Sequence, residues 1–469
     1  MLSYGSPQPP RFVRLTLEEL SVLGAGIGQY WYDKNENSRD WQFKYNWSGL
    51  RARLDGEAYA FDTNGYDTNF LFHPTSGTFY YLVARSNHLN AFESLAVAFG
   101  SSLLWEFFGE FQEKVSINDV IVTPLAGMAW GETSLQLGAF FLRACPNATN
   151  DVLGATFAPL HVLHDAADGV TRLRPECDAE PRSAHRFRFS LTGGEGWTAG
   201  VSPYPFLRLS AQSEVLHLPG FGRPGSAWST FADGNVSRLG FALSVAEPES
   251  STITDVALLT QTVVAGVHYR RNAYRGSELH RSEALFGLLI GAEYTRHRYD
   301  PAGAADRIFL LDLPALTTRY YGRIGELGWE LTLDAGGTFG GADSFALPGA
   351  LRQKKALSLT SVALGEGYNH VAGFELSPRA RLELRGAEFG VDFRGDRMLA
   401  FRVLDRSGQV STTTDSELRR RGSIWISVGA PLPARFVLSA NWTERSGSVG
   451  DVHASLNELS WNAGLELAP

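Results

Sequence analysis

From about residue 185 to residue 469, apolar and polar side chains alternate in segments of about nine to eleven residues. A period of two places successive side chains on opposite faces of an extended strand. In Glu326–Gly336 the apolar face consists of Leu327, Trp329, Leu331, Leu333 and Ala335. In the last segment it consists of Leu459, Trp461, Ala463, Leu465 and Leu467. We therefore predict that residues 185–469 form strands with one apolar face each.

The length of these segments indicates which kind of sheet they form. Strands of globular proteins usually have about five or six residues, whereas strands that cross a membrane need about nine to eleven. We predict a transmembrane antiparallel β-barrel of about 12 strands, with a range of about 10–14, because only closure satisfies every backbone group in lipid. A soluble β-sandwich or propeller alternates equally well and is the alternative. The final LELAP also lacks the aromatic end usual for outer-membrane strands.

Residues 1–140 follow a different pattern, which predicts helices and irregular segments. Thr16–Glu19 has the form of a capping box and is followed by Leu17, Leu20, Leu23 and Ile27 at helical spacing. Asn90 predicts the start of a second helix, apolar nearly all round and therefore buried in protein or in contact with lipid. Ser116 predicts a third helix, which Pro124 should interrupt.

Composition excludes several classes of protein. The net charge is −8 and the isoelectric point about 5.8, which argues against nucleic acid as a partner. The mean hydropathy of −0.13 argues against a bundle of membrane-spanning helices. The opening residues MLSYGSPQPPRF lack the basic and apolar regions of a signal peptide, so we expect any leader to have been removed already.

Residues 141–184 read as an irregular loop. Two cysteines, Cys145 and Cys177, lie near the ends of this loop. Two cysteines around a loop suit a disulfide in an oxidising compartment. Two unrelated thiols are the alternative. Zinc ligation is disfavoured because the sequence lacks a paired CxxC spacing.

Residues 61–132 combine polar side chains with apolar surroundings. These polar residues are Asp62, Asn64, His73, Glu93, Glu106, Glu110, Asp119 and Glu132. Buried carboxylates must be paired, protonated or bound to a cation. Glu106 and Glu110 are four residues apart and would share a helix face, as a paired acid/base site requires. The simpler interpretation leaves Glu110 and Glu113 in water and pairs Glu106 with Arg85 or a barrel arginine.

His73 precedes Pro74, which could start a helix at Thr75. We expect His73 to be a structural residue that is hydrogen-bonded to Asp62 or Asp119. The alternative is a catalytic base or a ligand. No HExxH, GxSxG, phosphate-loop or dinucleotide motif supports a named chemistry, and no cofactor or metal ion is predicted.

Four motifs together resemble the DUF3943 family of bacterial proteins over about residues 40–140. They are FDTN, FLFHPTSGTFYYLVARSN, SLLWEFFGE and SINDVIVTPLAGMAWGE. The resemblance implies an envelope protein of a Gram-negative bacterium with a helical segment beside or inside a barrel, and it implies no established activity. The signature positions would be Asp62, Asn64, His73, Pro74, Glu106, Asp119, Pro124, Gly127 and Glu132, and we add Arg85 and Glu110 as structural positions.

Three functions fit these observations. The favoured one is a non-enzymatic outer-membrane barrel with a helical plug or cap, serving transport, binding or scaffolding. Its expected partners are outer-membrane lipid and a small molecule or glycolipid. The second is a barrel-embedded lipid or glycolipid hydrolase with His73 as base, oriented by Asp62 or Asp119, and with Glu106 as an acid or metal partner. Ser76 and Ser102 are candidate nucleophiles, although no motif points to either. The third is a secreted soluble β-sandwich that binds a sugar or protein.

Overall fold

The structure is a computed structural model and forms two compact units. It describes residues 9–32, 41–170, 184–198, 202–218, 220–246, 253–276, 278–298, 305–355, 357–402, 404–429 and 434–467. The first unit comprises Met1–Cys177, Ala356–His370 and Phe401–Thr413. The second comprises Asp178–Lys355, Val371–Ala400 and Thr414–Pro469.

The first unit is mainly helical. In chain order the helices of the described residues are α1 (Phe12–Tyr32), α2 (Trp47–Leu54), α3 (His73–Ser86), α4 (Ala91–Leu104), α5 (Ile117–Arg143), α6 (Ala148–Phe157), α7 (Pro159–Asp168), α8 (Leu347–Arg352) and α9 (Ser361–Glu366). Of these, α8 belongs to the second unit. Wider π-helical turns precede α3 and follow α4, at Thr68–Phe72 and Trp105–Gly109. The two-residue strands β1 (Tyr59–Ala60) and β2 (Val115–Ser116) pair in parallel.

The predicted helix starts are partly correct. Asn90 and Glu93 form a capping box at the start of α4, and Ser116 caps α5. The predicted start at Thr16 is wrong, because α1 begins at Phe12 and Thr16 donates to the Phe12 carbonyl within the helix. The predicted interruption at Pro124 is also wrong, since α5 continues through it.

The irregular loop expected at 141–184 contains α6 and α7, so that expectation is wrong. The side chain of Asn147 caps α6, and an asparagine at this position is a local sequence signal for the start of a helix. Cys177 lies outside the described residues, so the predicted disulfide with Cys145 stays a prediction.

The helix expected to be buried or to contact lipid, α4, buries its small residues rather than its large ones. Ala91, Ala98 and Ser102 are buried, whereas Phe92 and Leu104 are exposed. None of the helices in the described part of the chain is long and apolar enough to cross a membrane. Whether the helical unit plugs or caps a lumen stays a prediction.

The second unit is built from long strands. They are β3 (Ala184–Thr198), β4 (Tyr204–Leu216), β5 (Gly225–Phe231), β6 (Val236–Ala246), β7 (Ile253–Arg275), β8 (Glu278–Arg298), β9 (Ala305–Ile324), β10 (Leu327–Asp343), β11 (Tyr368–Leu384), β12 (Ala387–Ala400), β13 (Asp415–Gly429), β14 (Ala434–Val449) and β15 (Val452–Leu467). The first three residues of β11 belong to the first unit. The shortest strand of the barrel wall, β6, has 11 residues and the longest, β7, has 23, so most exceed the expected length.

Twelve of the described strands close into an antiparallel barrel, as predicted. The order around the ring is β7-β6-β4-β3-β15-β14-β13-β12-β11-β10-β9-β8, and β8 pairs again with β7. The last strand pairs with the first, with Leu467 opposite Phe189. The remaining strand, β5, pairs with the part of β7 that extends beyond β6, and it is not one of the twelve strands of the barrel wall. The barrel therefore has no open edge to pair in lipid.

The barrel is apolar outside and polar inside. Leu331 is 51% exposed, whereas the neighbouring Asp334 is fully buried. On the last strand, Leu459 and Leu465 are exposed and Glu458 and Asn462 are buried. A soluble sandwich would bury its apolar faces. This reversed pattern in a closed ring is that of a membrane barrel and argues against the soluble alternative.

Ion pairs connect distant walls of this barrel through its interior. Arg186 on β3 contacts Glu330 on β10 at 3.0 Å, and these strands are six positions apart in either direction around the ring. Further pairs join strands four or five positions apart: Arg188–Glu388, Arg319–Glu214, Arg419–Glu293, Arg445–Asp306 and His297–Glu458. The interior of the described barrel is therefore crossed by charged side chains.

Candidate functional site

Three elements of the helical unit bring together a buried polar cluster. Asp62 follows β1, His73 is the first residue of α3, and Asp119 lies in the first turn of α5. Asp62 and Asp119 are almost fully buried and His73 is partly exposed. One ligand atom from each side chain lies within 4.8 Å of the other two. The structure thus places three of the sequence-predicted candidates side by side.

The start of α5 positions Asp119. Ser116 accepts a hydrogen bond from the backbone N–H of Asp119 at 3.2 Å, which caps the helix. Asn118 donates from Nδ2 to Asp119 Oδ1 at 2.9 Å and to Asp62 Oδ1 at 3.2 Å. Its own Oδ1 accepts from the backbone N–H of Asp62 at 3.0 Å. Asn118 therefore fixes the separation of the two carboxylates.

Asp62 is held by further amide and imidazole groups. Asn69 donates to its Oδ1 at 2.6 Å and Asn64 to its Oδ2 at 2.8 Å. His370 Nε2 lies 3.2 Å from the backbone oxygen of Asp62 and 3.8 Å from its Oδ1. Tyr368 in turn donates to the backbone oxygen of Asn64 at 2.8 Å. The position of the Asp62 carboxylate is thus set before any ligand arrives.

His73 faces Asp119 without forming a short hydrogen bond. His73 Nε2 is 3.5 Å from Asp119 Oδ2, beyond the usual 2.7–3.2 Å range of an N–H···O bond. Neither atom has a hydrogen-bond partner among the described residues. Unmade hydrogen bonds in buried surroundings are costly. The predicted proximity of the two side chains is therefore present, but the predicted hydrogen bond is not.

Glu106 lies in a π-helical turn at Trp105–Gly109 rather than in an α-helix, and Glu110 is the residue that ends this turn. The two carboxylates are close enough to repel each other, and this repulsion helps to raise the pKa of Glu106. Glu106 Oε2 accepts from the backbone N–H of Ser116 at 2.8 Å. Its Oε1 has no hydrogen-bond partner among the described residues, and no arginine pairs with it there.

Burial controls the protonation of the cluster. It raises the pKa of Glu106 and of Asp119 well above their ordinary values, and neighbouring carboxylates add to the effect. Burial lowers the pKa of His73. Burial would raise the pKa of Asp62 too, but the charge of Arg406 and the surrounding donors hold it below its ordinary value. Glu106 and Asp119 thus hold a proton more readily than exposed carboxylic acids do.

Glu110 and Glu113 are buried rather than in water, which corrects the simpler interpretation. Arg406, from the Phe401–Thr413 segment of the same unit, contacts Glu113 and lies 3.5 Å from Glu110 Oε2. Its charge thus pairs with these two carboxylates and also acts on Asp62.

Arg53 of α2 is fully buried and binds backbone rather than carboxylate. It donates to the carbonyls of Glu106 at 2.8 Å, Glu110 at 3.0 Å and Phe111 at 2.7 Å. These carbonyls end the π-helical turn and would otherwise lack donors. Arg53 is therefore a structural clamp on the segment that carries Glu106.

Arg85 and Glu132 form a separate pair rather than part of the cluster. Arg85 Nε and Nη2 donate to the two oxygens of Glu132 at 2.9 Å and 3.1 Å, and Tyr81 donates at 2.7 Å. This two-pronged contact joins α3 to α5. It corrects the expectation that Arg85 meets Glu106.

The remaining signature positions lie at the contact between α3 and α5. Gly127 and Gly77 approach so closely that a Cβ on Gly127 would lie 2.3 Å from the backbone carbon of Gly77. Pro124 is buried in α5 and Pro74 is in the first turn of α3. These positions are explained by packing rather than by chemistry.

Sequence reasoning missed several residues of the site. Asn118 lies inside one of the family-like motifs and Asn69 directly precedes another, so both could have been recognised as amide donors near Asp62. Arg406 and His370 are about 300 residues further along the chain and carry no local signal. Only the tertiary structure brings them to the helical unit.

The cluster can hold a cation or exchange protons. Of the two candidate nucleophiles, Ser102 donates to the backbone oxygen of Asp119 at 3.3 Å and Ser76 is exposed. Asp62, His73 and Asp119 are the residues whose donor atoms converge.

A closed twelve-stranded antiparallel barrel with an apolar outside and a charged inside is the fold of outer-membrane β-barrel proteins. Residues 58–160 match the family DUF3943, described as a domain of unknown function, which confirms the resemblance seen in the sequence. The match begins and ends somewhat later than the expected 40–140.

Several solved outer-membrane proteins are similar in fold. One is the outer membrane phospholipase A from Escherichia coli, with 11% identity over 59% of this chain and 89% of that chain and a TM-score of 0.24. Another is the COG4313 outer membrane channel from Pseudomonas putida F1, with 11% identity, 61% and 97% coverage and a TM-score of 0.24. A third is a loop-deletion mutant of OmpT from Vibrio cholerae, with 8% identity, 62% and 100% coverage and a TM-score of 0.20. No curated protein matches the chain. At these values the likeness carries no functional argument.

Proposed function

We propose that this chain is a non-enzymatic protein of a Gram-negative outer membrane whose barrel is not an open diffusion pore. Its role is then binding or scaffolding in the envelope. The outward-facing leucine, phenylalanine and tryptophan side chains contact membrane lipid. The ion pairs that cross the barrel interior are the observation that carries the proposal.

The Arg186–Glu330 pair is the clearest of these. These two side chains meet at 3.0 Å from strands on opposite sides of the ring, so they cross the interior and narrow it at that level. Arg186 also lies 3.2 Å from Glu214, which Arg319 contacts from a third wall. Because removing one member would leave a buried charge unpaired, such pairs resist opening.

Conductance tests the closed barrel. We expect the purified chain in planar lipid bilayers to show no stable open-channel current. The double variant Arg186→Ala/Arg319→Ala removes two side chains that cross the interior and should produce openings. Arg385→Ala is the matched control, because its pair with Glu326 is mostly exposed. Steady current through the unmodified chain would overturn the proposal.

Membrane insertion is tested by mobility on a denaturing gel. A closed barrel extracted in detergent should migrate differently before and after boiling, because detergent at room temperature does not open it. A chain that is soluble without detergent and shows no shift would contradict the membrane location.

The hydrolase alternative makes a separate prediction. Phospholipid or glycolipid hydrolysis by the folded chain, lost on His73→Gln and on Glu106→Gln with the gel shift retained, would overturn the non-enzymatic role. We expect no such hydrolysis, because among the described residues His73 Nε2 has no hydrogen bond to a serine that it could activate.

A further inference from the structure

Three side chains in the helical unit converge on one point, and some of their polar atoms have no hydrogen-bond partner among the described residues. They are Asp62, His73 and Asp119, whose donor atoms lie within 4.8 Å of one another. We infer that these three residues bind one divalent transition-metal ion, with Zn²⁺ as the best-fitting ion. This inference does not depend on the proposed function of the barrel.

The distance between His73 and Asp119 fits a shared ion better than a direct hydrogen bond. A Zn²⁺ ion lies about 2.0–2.2 Å from nitrogen and carboxylate ligands, so two ligands at a tetrahedral angle are about 3.4 Å apart. His73 Nε2 and Asp119 Oδ2 are 3.5 Å apart. A charge-assisted hydrogen bond would bring them to about 2.7–2.9 Å. The observed gap is therefore that of two ligands on one ion.

The two facing atoms are also those left without hydrogen bonds. Asp119 is 1% exposed, and its Oδ2 has no hydrogen-bond partner among the described residues. The same holds for His73 Nε2. By contrast, Asp119 Oδ1 is already occupied by Asn118 at 2.9 Å. A cation between the two atoms would satisfy both at once.

The charge of the surroundings favours a cation. Within the described residues, Asp62 and Asp119 form ion pairs only with histidines, and Glu106 forms none. Arg406 pairs directly with Glu110 and Glu113 and its charge also acts on Asp62. Among the described residues neither Asp119 nor Glu106 has a lysine or arginine partner, and a bound cation would offset their buried charge.

The surroundings also hold the ligands in place, as metal sites require. Asn118 bonds to both carboxylates, and Asn64 and Asn69 fix the Asp62 oxygens at 2.8 and 2.6 Å. A carboxylate oxygen that accepts one such bond still has a free lone pair for the ion.

The donor set narrows the choice of metal. One imidazole and two carboxylates suit Zn²⁺, Mn²⁺ or Fe²⁺, whereas Ca²⁺ and Mg²⁺ prefer oxygen ligands alone. Three protein ligands leave a fourth position of a tetrahedral ion for water or another small ligand.

Metal binding by the full chain in detergent tests the inference. After removal of metal with a chelator, the chain should take up one Zn²⁺ more than the Asp119→Asn variant, as measured by metal analysis after dialysis. His73→Gln should lose the same ion. Asp55→Asn, which changes an exposed carboxylate of the same unit, is the matched control and should retain it. Equal uptake by the unmodified chain and both ligand variants would overturn the inference.

Cobalt provides a test that needs no ligand variant. Co²⁺ added to the metal-free chain should produce visible absorption bands typical of a low-coordinate site with nitrogen and oxygen ligands, and Zn²⁺ should remove them. Absence of these bands contradicts the inference even if the variants fail to fold. Asn118→Ala should weaken Zn²⁺ binding by about 10–100-fold, because it removes the donor that orients both carboxylates.

Discussion

At the scale of single residues, two glycines are required where the backbones of α3 and α5 come into contact. Gly127 meets the backbone of Gly77, and a Cβ on Gly77 would lie 1.8 Å from the carbonyl oxygen of Thr123. Backbone atoms cannot move aside as a flexible side chain can. The close approach of α3 and α5 therefore requires glycine at both positions.

We expect Gly127→Ala to destabilise the contact between α3 and α5 by about 1–3 kcal/mol through overpacking. Hydrogen exchange of peptides from α3 and α5 would measure the loss. Gly100→Ala is the matched control, because a Cβ there meets nothing within 4 Å and alanine favours a helix by about 0.5–1 kcal/mol. Equal protection in the two variants would contradict the packing argument.

Glu19 gives the helical unit a dependence on pH. Burial raises its pKa to about 8, against a hydrogen bond from Ser101 at 2.9 Å that lowers it. The folded state keeps a proton that the unfolded chain releases near its ordinary pKa of about 4.3. Its contribution to stability is therefore complete below about pH 4 and is lost as the pH rises through about 8.

The Glu19→Gln variant should accordingly lose less stability between about pH 5 and pH 8 than the unmodified chain. Hydrogen exchange of α1 and α4 at several pH values would measure this. Glu57→Gln, at an exposed position, should leave the pH dependence unchanged. A pH profile that is unaltered by Glu19→Gln would show that another group is responsible.

At the scale of the element, the start of α4 depends on a reciprocal cap. Asn90 accepts from the backbone N–H groups of Phe92 and Glu93, and Glu93 accepts from the backbone N–H of Asn90. These bonds satisfy donors that have no partner inside the helix.

We therefore expect Asn90→Ala to destabilise α4 by about 1 kcal/mol. Loss of hydrogen-exchange protection in the first turn of α4 would be the measurement. Asn90→Ser retains an oxygen acceptor and should restore most of the protection. If serine and alanine behave alike, the cap does not stabilise this helix.

At the scale of the whole molecule, ion pairs in the barrel interior and exposed ion pairs differ in how much they contribute to the stability of the barrel. Arg445 is fully buried and contacts Asp306 at 2.8 Å as well as Glu417. Arg385 and Glu326 form a pair that is mostly exposed. Only the buried pair leaves an uncompensated charge in a medium of low dielectric when one member is removed.

Arg445→Met should destabilise the barrel by about 3–5 kcal/mol, whereas Arg385→Met should change its stability by no more than about 1 kcal/mol. The temperature at which the unboiled gel band converts to the boiled band measures both. Similar shifts in the two variants would mean that the interior is hydrated enough to accommodate the free charge.

The alternation of side chains in residues 185–469 was by itself enough to predict the barrel. Successive side chains of a strand point to opposite faces, so the local sequence already separates lipid-facing residues from interior residues. Local capping residues likewise determined the starts of α4 and α5. Helices α6 and α7 and the true start of α1 were missed because a weakly amphipathic sequence takes its helical state largely from packing.

Only part of the polar cluster could be predicted from the sequence. The motifs identified Asp62, His73 and Asp119 as unusual, since buried charges stand out in apolar surroundings. Their mutual distances, the π-helical turn that carries Glu106, and the arrival of Arg406 and His370 from about 300 residues away were decided by the tertiary structure. The physical reason is that hydrogen-bond and ion-pair partners act through space, where sequence separation leaves no local pattern.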